Sequence, residues 1–358
     1  MNTCLRTVAM GLSLLMLAAA PLTSHAFRDR LDTPASPSAL APKGLLNGVA
    51  RAGNRLVAVG ERGHILCSDD AGQTWRQAEV PVSSDLTAVH FPTPQKGWAV
   101  GHDGVVLATT DGGLHWARQL DGRAAVQLMK THYAAHPPAA LAGDAAAQAC
   151  FQDEIERLVS EGADKPFLDV WFQDESVGYI VGLFNLIFRT DDGGQHWVPL
   201  FDLTDNPQRL HLYAVRPAGK HLYLAGEQGL VLRLDAASQR FQAMPVDYRG
   251  TFFGIASTGG EGLLVFGLRG NVFRSDDAGQ HWLKVDTGID VGLTAAAQAP
   301  DGRLVLTSQA GHVLQSTDGG RTFTQAPRAK RPIGSVAFAS PKALVTAGPR
   351  GVQPLALP

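Results

Sequence analysis

Ser68-Asp69-Asp70-Ala71-Gly72-Gln73-Thr74-Trp75 is the stretch whose reading decides the fold. It returns as Thr109-Thr110-Asp111-Gly112-Gly113-Leu114-His115-Trp116, and again over 190–197, 275–282 and 316–323. The shared pattern is [Ser/Thr]-x-Asp-x-Gly-x-x-[Trp/Phe]. A worn copy over 234–241 has Ala236 in place of the Asp and Ser238 in place of the Gly. The key positions, Asp70, Asp111, Asp192, Ala236, Asp277 and Asp318, are spaced by 41, 81, 44, 41 and 41 residues. A period near 41 marks an array of small like units.

Each copy has the chemistry of a tight turn between two strands. The Asp carboxylate accepts from turn amides that the ladder leaves unpaired. The Gly takes a positive φ, and the Trp or Phe opens the next strand and packs between sheets. Asp69-Asp70, Asp191-Asp192 and Asp276-Asp277 look like acid/base dyads. An active site is built once, however, and a structural device many times. Asp70, Asp111, Asp192, Asp277 and Asp318 are therefore assigned to the turns. His115, His196 and His281 precede the Trp of their copies and are assigned with them. His64, His102 and His312 are scattered over different units, and no pair has metal-ligand spacing.

Around each turn the sequence repeats short apolar runs bounded by Gly-containing turns, the mark of strands buried between stacked sheets. The first unit has runs at 45–50, 56–59 and 64–68, with a fourth from Trp75. Six units are complete. A seventh has runs at 333–338, 343–345 and 352–355 and then stops, with no Asp turn or fourth strand. The expectation is an all-β fold over 27–358, a seven-bladed β-propeller of four-stranded blades. Residues 27–43 are expected to supply the strand missing from the last blade, so that both chain ends close the circle and no edge stays open.

The gap from Asp111 to Asp192 is about forty residues too long for one period. Residues 124–136 contain no Gly or Pro, and His136-Pro137-Pro138 ends that run. Over 144–161, Ala147, Phe151, Ile155 and Leu158 fall on one helical face. A helical hairpin over 123–165 is expected between blades 2 and 3, either packed on the rim or capping a partner site.

Arg6, the apolar run 8–22 and Ser24-His25-Ala26 read as a cleavable signal peptide over 1–26, cut after Ala26. The mature chain is expected in the periplasm or outside the cell, with no transmembrane segment. A Cys67–Cys150 disulfide stands as one alternative and two buried free thiols as the favoured one. With 18% charged residues and a net charge of -2, the 358-residue chain has no broad nucleic-acid-binding surface. No metal or cofactor is expected.

The turn is similar to the Asp-box of sialidases and other propellers. The longer string over 91–116, Gly-Trp-Ala-Val-Gly … Thr-Thr-Asp-Gly-Gly … Trp, resembles the photosystem II stability and assembly factor family. The resemblance covers most of 45–356 outside the helical insert. It implies a non-enzymatic, lumenal or periplasmic assembly factor that binds a membrane-protein partner.

In a propeller the turns between second and third strands share a face with the connections between blades. Around blades five, six, seven and one that face gathers Arg269, Arg328, Lys330, Arg331, Arg350, Lys43 and Arg62. These cations are the candidate site for carboxylates of a protein partner, in a chain expected to act as a monomer. The alternatives are a sialidase-like glycosidase and a carbohydrate binder. The first needs an arginine cluster and a Tyr–Glu nucleophile. The sialidase Phe-Arg-[aliphatic]-Pro signature does not occur, and Tyr179, Tyr213 and Tyr223 fall inside expected strands. The second would use Tyr248 or Phe252, and Phe252 reads better as core.

Overall fold

The computed structural model describes residues 28–326, 328–329 and 331–357. The expected signal segment 1–26 and Lys330 lie outside them. Seven antiparallel sheets follow one another along the chain, each with its strands hydrogen-bonded in chain order. Blade 1 comprises Leu46–Ala52, Arg55–Gly60, Ile65–Ser68 and Arg76–Gln77. Blades 2 to 6 also have four strands each, over 86–120, 167–199, 212–243, 252–285 and 293–325. Blade 7 has three: Ser335–Ser340, Ala343–Gly348 and Gly351–Ala356.

Every first strand touches the first strand of the next blade, and Ser335–Ser340 of blade 7 touches Leu46–Ala52 of blade 1, so the ring is closed. Side-chain alternation builds the layers between blades. Val57, Val59, Ile65 and Cys67 pack against blade 2, with Ala99 and Leu107. Leu56, Ala58 and Leu66, one residue away, pack against Val345 and Ala347 of blade 7. Both faces of each sheet are thus buried, which is why the strands read as continuous apolar runs.

The corners between third and fourth strands share one geometry. Asp70 Oδ1 accepts from the amides of Gln73 (3.0 Å) and Thr74 (2.9 Å) and from Ser68 Oγ (2.8 Å). Ser68 Oγ in turn accepts from Gly72 N at 2.9 Å, and Trp75 Nε1 donates to Gly72 O at 3.1 Å. Asp111, Asp277 and Asp318 accept from the matching pair of amides, and Asp192 from His196 N. The ring bond recurs at Trp116 and not at Trp197 or Trp282. The second carboxylate oxygen takes Thr74 or Thr322 Oγ1 in two corners and the His Nδ1 of His115, His196 or His281 in the other three. Threonine and histidine are interchangeable there, so the histidine acts as a hydrogen-bond donor to the corner. In the worn copy Asp235, one residue earlier, holds a shorter turn through Ser238 N and Oγ.

Two helices stand between blades 2 and 3: α1 (Gly122–Ala135) and α2 (Ala145–Glu161). Asp121 and Asp144 cap them, accepting from Ala124 N and Ala147 N at 3.1 and 2.9 Å. Met129 and Tyr133 of α1 and Phe151, Ile155 and Leu158 of α2 share one core with Trp98, Phe172 and Trp197 of the blades.

Two expectations are corrected. The N-terminal segment does not complete blade 7. It lies along blade 1, where Ala35 N donates to Val80 O and Ser38 N to Gln77 Oε1. Leu31 is buried between blades 1 and 2, and Asp32 pairs with Arg118 and Arg123 just beyond. These anchors hold residues 28–38 along blade 1, while Ala41–Lys43 reach blade 7 beside Gly351 without adding a strand to it. The outer edge of blade 7 also lacks a needed donor. Leu357 N donates inward to Lys342 O and Leu355 sits opposite Leu344, so alternation turns the nitrogen of Pro354 outward, where it has no hydrogen to give. The circle is closed by packed sheet faces, with Val49 N donating to Ser335 Oγ across the seam, and without an exchanged strand. Secondly, Cys67 and Cys150 are free thiols, and only Cys67 is buried. Cys150 precedes Phe151 on α2 and so points away from the face that packs.

The corner hydrogen bonds hold all five carboxylates below the ordinary value of 3.8. Asp70 comes down to about 2, chiefly through Thr74. Asp192 comes down to about 2 through His196, and Asp277 and Asp318 lie lower still. Asp111 also reaches about 2, although burial opposes its bonds from His115. A depressed folded pKa contributes stability that is complete above the unfolded value and lost as pH falls through the folded one. The melting temperature should therefore drop steeply between about pH 4 and about pH 2. Asn at Asp70, Asp111 and Asp192 together should flatten that drop. A variant and a parent with parallel pH profiles would contradict the assignment.

Candidate functional site

The turns between second and third strands all lie on the face opposite the Asp corners. In blades 1 to 5 they are single 3-10 turns: Glu61–Gly63, His102–Gly104, Leu183–Asn185, Glu227–Gly229 and Leu268–Gly270. Their middle residues, Arg62, Asp103, Phe184, Gln228 and Arg269, are left-handed, with φ between 53° and 58°. Each turn is tied to the connection from the preceding blade. Glu61 N donates to Leu45 O (3.0 Å), His102 N to Asp85 O (2.8 Å) and Leu268 N to Thr251 O (2.9 Å). The glycine before each turn permits this approach: a Cβ on Gly101 would collide with Asp85 O.

Arg62, Arg269, Arg328, Arg331 and Arg350 are all exposed on this face, and none forms an ion pair with a described residue. The neighbouring carboxylates are engaged by backbone. Glu61 accepts from Leu45 N, Asp85 from Arg62 N at 2.7 Å, and Glu227 from His211 N. Beside Arg62 the cation is thus left outward while the carboxylates are tied down; Asp247 and Asp290, in the connections into blades 5 and 6, are exposed and carry no hydrogen bond from a described residue.

The cations are not gathered equally. Arg328 Nε donates to Ala310 O in the blade 6 turn, and Arg331 donates to Arg350 O in blade 7. Lys43 lies against Gly351, and Gly44 against Glu61, so an arc runs without a break from blade 6 to Arg62. Arg269 stands apart, in a recess of about 370 Å3 with Lys284 and Asp286.

Other features were not found from the sequence. A groove of about 610 Å3 runs between the N-terminal segment and blade 1, with Arg30, Arg62 and His64 in its walls. Nδ1 of the buried His64 has no hydrogen-bond partner. The groove exists because residues 28–38 lie along blade 1. A central channel of about 190 Å3 is lined by all seven first strands. In it Asp169 accepts from Val215 N (2.8 Å) and Arg216 (2.5 Å). Burial pushes Asp169 above the ordinary carboxylate value even though Arg216 opposes the shift. A lone Asp inside the apolar run 168–172 was the available signal.

The five corner aspartates stay apart, one to a blade, and among the described residues no three His, Cys, Asp or Glu side chains could hold a metal. No described tyrosine hydrogen-bonds a glutamate; Tyr248 donates to Leu268 O, and Phe252 is fully buried. No helix among the described residues is long and apolar enough to cross a membrane.

A closed ring of seven antiparallel sheets is a β-propeller. The chain belongs to the family described as Photosynthesis system II assembly factor YCF48, whose model matches residues 18–108, 73–134 and 153–326. It is 26% identical over 274 residues to the Photosystem II assembly protein Ycf48 of Synechococcus sp. (strain JA-2-3B'a(2-13)), covering 71% of this chain and 79% of the relative. To the Photosystem II assembly lipoprotein Ycf48 of Synechococcus sp. (strain CC9902) it is 27% identical over 158 residues, 43% of this chain and 47% of that protein. A solved structure of YCF48 bound to D1 peptide superposes with a TM-score of 0.61 at 17% identity, covering 88% of this chain and 94% of that one. At that identity the likeness concerns the fold.

The channel pair supplies a test of how the ring tolerates charge. Replacing Arg216 by Met strands a buried carboxylate and should cost about 3–5 kcal/mol in urea unfolding. Adding Asp169→Asn should recover most of it. A single variant within about 1 kcal/mol of the parent would show that the pair is not coupled.

Proposed function

We propose that this chain is a non-enzymatic assembly factor that works outside the cytoplasm as a monomer. It holds a segment of a client protein, from a membrane complex, against the face that carries the turns between second and third strands. The observation that carries the reading is the charge arrangement on that face. Arg62, Arg269, Arg328, Arg331 and Arg350 are exposed and free of ion pairs with described residues, while the carboxylates beside Arg62 are occupied by backbone amides. Lys330, expected from the sequence to join them, lies outside the described residues. Guanidinium groups with free donors form paired hydrogen bonds with carboxylates, and an unbroken arc steers an acidic segment as it approaches.

Family membership supports the assembly role, since relatives are named for photosystem II assembly and a solved YCF48 holds a D1 peptide. The apolar run 8–22 and a relative named as a lipoprotein support a place outside the cytoplasm. The one-per-blade corners account for the repeated carboxylates without any catalytic role. The test is affinity capture from solubilised envelope membranes of the source organism, with the captured proteins identified by mass spectrometry. The parent chain should enrich a membrane protein. The triple variant Arg62→Glu, Arg269→Glu, Arg350→Glu should lose it while melting at the same temperature. Equal capture by the triple variant would contradict the reading.

A further inference from the structure

A cavity of about 230 Å3 lies between the helical insert and the start of blade 4. Three departures from the repeat meet there. The turn Leu183–Asn185 ends in Asn where the other blades have Gly63, Gly104, Gly229, Gly270, Gly311 and Gly351. Asn185 adopts a left-handed φ of 64°, is 1% exposed, and its amide binds Phe201 O, Thr204 and Asn206. Apart from the one that holds the helical insert, the connection into blade 4 is longer than its counterparts, which is why the spacing there is 44 and not 41. That connection carries Arg209, a second left-handed side-chain residue, with φ 53°. Strained backbone of this kind persists where the surroundings enforce it, and it clusters at binding sites.

Arg209 is the group in the cavity wall that the protein leaves unsatisfied. Its guanidinium stacks 4.4 Å from the Phe201 ring centre and 5.8 Å from that of Phe151. It makes no side-chain hydrogen bond to a described residue. The nearest carboxylate, Glu154, is 3.9 Å away and already holds Arg157 at 2.6 Å. The other polar groups are occupied: Asp202 accepts from Tyr133 OH at 2.9 Å, and Arg240 donates to Asp202 O at 3.1 Å. Facing Arg209, the insert offers apolar surface from Pro138, Leu141 and Phe151.

We propose that this cavity binds a carboxylate carried on a small apolar body, with Arg209 as the anchor and the insert as the wall against which the body packs. Stacking on Phe201 fixes the plane of the guanidinium and leaves its edge free for two carboxylate oxygens. The apolar wall excludes water from the pair and gives the rest of the ligand somewhere to lie. The ligand is either a free small acid or the terminal residue of a polypeptide. The site does not rest on the client-binding reading above, because the arginine arc runs from blade 6 through blade 7 to blade 1, with Arg269 apart on blade 5.

The test is titration calorimetry on the full chain with 3-phenylpropionate and with the tripeptide Ala-Ala-Leu, as the free acid and as the C-terminal amide. One or both acids should bind the parent, and the amide should not. Arg209→Gln should weaken binding by about tenfold or more. Leu141→Trp, which fills the cavity without touching the cation, should do the same, and Arg269→Glu should change nothing. Binding of phenylpropionate alone assigns a free acid; binding of the tripeptide acid alone assigns a chain terminus. No binding to the parent, or unaltered binding to both cavity variants, overturns the proposal. Loss in Arg269→Glu alone places the ligand on the arginine face and overturns it equally.

Discussion

The ring depends on one hydrogen-bonding arrangement, a carboxylate oxygen that accepts from two successive backbone amides where the chain turns from third to fourth strand. At Asp70 those amides belong to Gln73 and Thr74, and the Ser68 hydroxyl completes the set. Amides at such a turn have no ladder partner, and left unpaired they would oppose folding. Satisfying them locally lets each sheet finish within its own forty or so residues. The next aromatic is then placed between sheets: Trp116 Nε1 reaches Gly113 O at 3.0 Å while its ring packs against the neighbouring core. Five units are built this way, blade 4 has the worn turn at Asp235 and blade 7 has none, and the seven sheets meet head to tail.

Closure follows from face packing and needs no exchanged strand. Leu56, Ala58 and Leu66 of blade 1 lie against Ala337, Val345 and Ala347 of blade 7, a layer of the same kind as those between the other blades. Pro354 withholds a donor from the outer edge of blade 7, which suits a strand that ends the sheet. The N-terminal segment is thereby released to line a groove on the arginine face. A rule that counts strands predicts where it would complete a sheet. Its true place was decided by the burial of Leu31 and the pairing of Asp32 with Arg118 and Arg123, which lie 86 and 91 residues away in sequence.

Most of the architecture was legible because it is periodic. The spacing of Asp70, Asp111, Asp192, Asp277 and Asp318 fixes the blade length, and strand order then settles which turns share a face. Connectivity alone therefore puts Arg62, Arg269, Arg328, Arg331 and Arg350 on one face, whereas the separation of Arg269 from the others was not legible. What escaped was everything that depends on pairing across blades. Asp169 finds Arg216 in the next blade, and His64 and Arg30 meet only because the N-terminal segment lies where it does. Asn185 in place of glycine was visible as a break in the repeat. Its meaning required the connection that folds over it. Cys150 was misjudged because its neighbour Phe151, and not the cysteine, faces the core.

The two faces of the ring thus carry different chemistry. The corners hold their carboxylates among their own amides, and the opposite face leaves its guanidinium groups for something else. A photo-crosslinking residue at Gln309, in the blade 6 turn, compared with one at Asp301, on the corner side of the same blade, measures this asymmetry directly. The account predicts client adducts from Gln309 in envelope membranes and none from Asp301. Adducts from Asp301 alone, or equally from both, would contradict it.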